Sequence, residues 1–83
     1  MTEKGRIDVR ETILEILQTV KPGVEFDTET AIIDKGLLES FDIIRLVTML
    51  ADEFDVEFTA AELIPENFNS VDAIERIVRE LED

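Results

Sequence analysis

"GLLESFDIIRLVTMLADEF", residues 36–54, decides the fold of this chain. Ile43, Leu46, Val47, Leu50 and Phe54 recur every three or four residues, which is the spacing of one apolar helix face. Phe41, Ile44, Arg45 and Thr48 fall largely on another face. The pattern predicts a helix that opens at Ser40 and ends near Phe54. A serine at such a boundary is, by residue type alone, a helix N-cap worth about 1 kcal/mol over alanine. The same position is exposed, and the helix dipole and free N–H groups there favour a phosphate.

Upstream, Val9, Ile13, Ile16, Leu17 and Val20 repeat at helical spacing. They predict a first helix from about Asp8 to Val20, with Asp8 as cap and Glu11 completing a capping box. Lys21-Pro22-Gly23 ends it. Residues 21–38 then form a long connection, unusual in a compact domain unless functional. Val24, Phe26, Ile32, Ile33, Leu37 and Leu38 stud it, so it is expected to pack down on the core. Downstream, Thr59 and Glu62 have capping-box spacing, which predicts a short third helix. Pro65-Glu66-Asn67-Phe68 reads as a turn. Ser70 caps a last helix whose Val71, Ile74, Ile77, Val78 and Leu81 face inward. The expected fold is all-α: a four-helix bundle with a short third helix and a long loop between helices one and two.

Composition excludes several functions. The chain has 83 residues and neither cysteine nor histidine. No disulfide or thiolate metal site supports its thin core. The usual general base near neutral pH and the commonest metal ligand are both missing. Ser40 has no histidine or evident basic partner to activate it as a nucleophile. An EF-hand reading from Asp52 fails, because Phe54 and Glu57 stand where a ligand and a glycine belong. No catalytic residue and no metal site is expected. No apolar run is long enough to span a bilayer. The start, MTEKGRIDVR, lacks a signal-peptide apolar stretch. A cytoplasmic protein is expected.

The net charge of −13 repels nucleic acid and anionic membrane. Between Leu37 and Asn69 Arg45 is the single base among eight acids. Such a surface suits partners with basic patches. Crowded acids also repel one another, so moderate salt or divalent ions should raise the melting temperature by screening. A melting temperature that falls between low and moderate salt contradicts that expectation.

The stretch from Gly36 to Phe58, followed by "ENFNSVDAI" at residues 66–74, resembles the acyl carrier protein family. The resemblance covers residues 8–82 and implies one acyl or peptidyl carrier domain over residues 1–83. In that family an acid-Ser-hydrophobic triplet opens the second of four helices. The serine carries a 4′-phosphopantetheine arm, taken from coenzyme A by a phosphopantetheinyl transferase. The arm's thiol holds an acyl or aminoacyl group as a thioester. Here the triplet is Glu39-Ser40-Phe41, so the resemblance makes Ser40 the attachment residue. Glu39 stands where the family usually has Asp, and Phe41 where it has Leu or Met. The glycine four residues before the serine and the P-E-N-F turn are closest to freestanding D-alanyl carriers and stand-alone peptidyl carriers.

The resemblance also implies how such a chain works. It is not an enzyme but a monomeric shuttle between a loading enzyme and a downstream acyltransferase or synthase. Glu39 and Asp42 meet basic patches on partners. Phe41, Ile44 and Thr48 add contact beside the arm, and Arg45 helps to select among partners. The alternative class is a non-catalytic acidic interaction domain of the same fold without an arm. The cargo is open at this level: fatty acyl, D-alanyl, other aminoacyl and polyketide groups share the same carrier logic.

Overall fold

Three amphipathic segments form the α-helices. The structure, a computed structural model, describes residues 9–82. Helix α1 spans Val9–Val20, α2 spans Ser40–Phe54 and α3 spans Val71–Glu82. A 3₁₀ turn at Pro65–Asn67 lies between α2 and α3. The Asp8 cap expected for α1 lies outside the described residues. At the other end, Ser70 caps α3 as expected, its hydroxyl accepting the Ala73 N–H at 3.1 Å.

The predicted stripes meet in one core. Ile13 and Leu17 of α1, Leu46 and Leu50 of α2, and Ile74 and Val78 of α3 are all fully buried. Burying each such side chain contributes about 1.5–3 kcal/mol. The long connection is packed down, since Phe26, Ile32 and Leu38 are buried with the helices. Phe58 and Phe68 add a tilted aromatic pair, centroids 5.9 Å apart. Arg10 ties α1 to this connection and to α3 through Asp27 at 3.1 Å and through Asp72. These carboxylates are exposed, so the pairs stabilise little individually.

Residues 31–37 make one isolated helical turn. The Gly36 N–H donates to the Ile33 carbonyl and the Leu37 N–H to the Ile32 carbonyl, both at 3.0 Å. That bond pair is a Schellman closure, which needs a left-handed residue. Gly36 supplies it, with φ of +70°. At the end of α2, Asp55 adopts φ 55°, ψ 48°. A side chain there is strained, and a negative charge opposes the helix dipole. Asp55→Gly should therefore stabilise the protein by about 0.5–1 kcal/mol. A urea midpoint equal to or below wild type contradicts this.

The expected third helix does not form. The Thr59 N–H and hydroxyl do donate to the Glu62 carboxylate, at 2.7 and 2.6 Å. Yet residues 60–62 only turn, and helical structure waits for Pro65–Asn67. Proline is the cause: it drives Ile64 to extended backbone, φ −121° and ψ 151°. Too few residues separate the cap from that break to nucleate a helix. So the described residues hold three α-helices and a 3₁₀ turn, not four helices. The Thr59 side chain and amide hold the Glu62 carboxyl below its ordinary pKa. A lowered pKa stabilises above the unfolded value and is lost as pH falls through the folded one. The Thr59 amide resonance should thus titrate with a midpoint below the ordinary glutamate range. A midpoint at or above that range contradicts the assignment.

Candidate functional site

Ser40 is the first residue of α2, but it is not the cap. Glu39 takes that position, with extended φ −90° and ψ 171°. Its carbonyl accepts the first helical bond, from the Ile43 N–H at 2.9 Å. The Glu39 N–H donates to the Asp42 carboxylate at 3.2 Å, and the pair forms a capping box. The residue-type expectation of a serine cap is corrected for a physical reason. A capping box needs an acceptor three residues on. Ser40 has Ile43 there, whereas Glu39 has Asp42.

The correction releases the hydroxyl. Ser40 is exposed, at the positive end of a helix, and left out of the cap. Around it, Phe41 and Ile44 are 70% and 62% exposed, unusual for such large apolar side chains. Arg45 and Thr48 are exposed farther along the helix, and Glu39 is exposed beside the serine. Asp42 is half-buried and committed to the capping box.

Beside α2 lies an apolar pocket of about 130 Å³, lined by Ile33, Ile43, Leu63, Ile64, Pro65 and Phe68. Leu63 and Ile64 stay partly open at its rim, at 47% and 43%. Sequence reading gave these two no role, because it placed them inside a helix. The Ile64-Pro65 pair was the available signal for extended, outward-facing backbone. Asn69 was also passed over. Its Oδ1 accepts the Ile33 N–H at 2.8 Å, a partner thirty-six positions away that no local pattern reveals.

Comparison with known proteins agrees with this arrangement. A family model described as a phosphopantetheine attachment site matches residues 8–78. Aminoacyl carrier protein 1 of Bradyrhizobium diazoefficiens is 31% identical over 75 residues, covering 86% of this chain and 82% of the relative. The D-alanyl carrier protein of Lactococcus lactis subsp. lactis is 30% identical over 77 residues, 90% of this chain and 98% of the relative. Aminoacyl carrier protein 2 of B. diazoefficiens is 30% identical over 76 residues, 87% of this chain and 84% of the relative. No solved structure matches the chain significantly. The chain belongs to the phosphopantetheine attachment-site family, and its prosthetic group is 4′-phosphopantetheine. The geometry fits that group, which needs an exposed hydroxyl with room for a phosphodiester. Ser40 offers both, next to the N–H groups of the first helical turn.

Proposed function

We propose that residues 1–83 act as one carrier domain with its arm on Ser40, holding a small aminoacyl or short acyl cargo. The observation that carries the site is the exposed Ser40 hydroxyl at the start of α2, left out of the cap by Glu39 and Asp42. When attached, the group supplies a flexible thiol that holds the cargo as a thioester. The chain's own residues supply recognition and no catalysis. Glu39 offers charge to a basic partner, and Phe41 and Ile44 offer apolar surface next to the serine. Arg45 and Thr48 extend that surface along α2 and distinguish one partner from another. Half-buried Asp42 serves the cap first, and its remaining charge adds to the field that draws partners in.

The partners on this reading are a phosphopantetheinyl transferase, a loading enzyme and a downstream acyltransferase or synthase. The surface charges are exposed and screened, which favours weak, fast and successive contacts. On this reading the domain works as three α-helices, with turns and the 3₁₀ turn of Pro65–Asn67 joining α2 to α3. The expected setting is the cytoplasm, with the protein a monomer. Among the described residues no helix is long and apolar enough to cross a membrane.

One observation favours small cargo: the similar carriers bear aminoacyl and D-alanyl names. Loading tests the proposal. The arm-bearing protein, given Mg-ATP, an amino acid and a carrier-dependent adenylating enzyme, should gain one aminoacyl mass that neutral hydroxylamine removes. A gain that survives hydroxylamine, or one that also appears on the armless protein, is incompatible with a thioester on the arm.

A further inference from the structure

Asn69 sits immediately before the serine that caps α3, far from Ser40 in sequence. Its backbone carbonyl accepts the Ile32 N–H at 2.8 Å. Its Oδ1 accepts the Ile33 and Asp34 N–H groups at 2.8 and 3.0 Å. Its Nδ2 donates to the Asp34 carboxylate at 3.3 Å. One residue thus engages three consecutive N–H groups at the start of the isolated turn 31–37. Those are the groups that a helical turn leaves unpaired at its N-terminus.

The other end of the turn is closed by Gly36 at φ +70°. Only Leu37, Leu38 and Glu39 separate that glycine from Ser40. Leu38 is 4% exposed and pinned in the core, and Glu39 is held by the capping box. The path from Asn69 to Ser40 is therefore short and has little slack. Burial of Phe26, Ile32 and Leu38, with the Arg10–Asp27 pair, keeps the connection docked. What Asn69 adds is the orientation of the turn, not its attachment to the core.

We propose that Asn69 is a positioning residue for the attachment site. By clamping residues 32–34 it fixes how the chain enters α2, and so the direction in which the Ser40 hydroxyl is presented to the transferase. The inference rests on Ser40 being the attachment residue. It needs no contact between Asn69 and Ser40. Because the exposed face of α2 stays intact, loss of the clamp acts on kcat and leaves KM for the carrier nearly unchanged.

The test measures phosphopantetheine transfer from coenzyme A against carrier concentration, for wild type and variants with native circular dichroism. Asn69→Ala should lower kcat about ten- to hundredfold, the usual cost of misplacing a reacting group. The double variant Asn69→Asp with Asp34→Asn exchanges amide and carboxylate and preserves every bond of the clamp. It should recover to within about threefold of wild type, whereas Asn69→Asp alone sets two carboxylates face to face and should not. Ile77→Val on α3, at a buried position that makes none of the clamp's hydrogen bonds, serves as a control for lost buried packing. A kcat for Asn69→Ala equal to that of wild type or of Ile77→Val overturns the proposal. If Asn69→Ala fails to fold, the exchange variant decides. Recovery upholds the clamp, and a rate no better than Asn69→Asp alone overturns it. Wild type that takes no arm on Ser40 overturns the carrier site, and this inference with it. Wild type and Asn69→Ala modified equally well overturn the inference alone.

Discussion

Leu46→Ala removes about 2–5 kcal/mol of stability and leaves a large fraction of the chain unfolded under mild denaturing conditions. Leu46 is fully buried, on the inward face of α2. Truncation removes the transfer free energy of its side chain and leaves a cavity that the core only partly fills. A chain of this length has about 4–12 kcal/mol in all, at ~0.05–0.15 kcal/mol per residue. A single core leucine is therefore a large share of the whole. Neither disulfide nor thiolate metal site makes up the loss, because the chain has no cysteine. Urea unfolding followed by circular dichroism measures the effect. A loss below about 1 kcal/mol shows that Leu46 is not in the core as described.

Most of the fold was legible because the apolar stripes are regular. Val9–Val20, Ser40–Phe54 and Val71–Glu82 follow the predicted spans. The packing of residues 21–38 was legible too, from Phe26, Ile32 and Leu38. What misled was local chemistry in competition. Thr59 and Glu62 form the bonds of a helix start, but Ile64-Pro65 forbids the continuation. Ser40 is a good cap by type, but Glu39 has the better reciprocal partner in Asp42. The exposure of Phe41 and Ile44 follows from which face of α2 meets the core, whereas that of Leu63 and Ile64 lies on non-helical backbone before Pro65 and was not anticipated. Asn69 could not be found in the sequence, since its partners are distant in the chain.

The Ser40→Ala variant has the second large effect, and it separates stability from function. A serine that capped α2 would cost about 1 kcal/mol on replacement. Ser40 is instead the first helical residue, where alanine is a better helix former. Ser40→Ala should therefore stay within about 0.5 kcal/mol of wild type. Asp42→Ala removes the carboxylate to which the Glu39 N–H donates and should lose about 1 kcal/mol. The reverse order, with Ser40→Ala the weaker variant, contradicts the capping geometry. Against this unchanged stability the proposal expects a complete loss of modification, since the other serine, Ser70, follows Asn69 and not an acid.

Intact mass is the most direct measurement: wild type and Ser40→Ala, each incubated with coenzyme A, Mg²⁺ and a broad-specificity phosphopantetheinyl transferase. The expected result is a gain of one phosphopantetheine on wild type and none on a folded Ser40→Ala. Modification of Ser40→Ala, or an unmodified wild type with several transferases, contradicts the account of Ser40 as the residue that carries the arm.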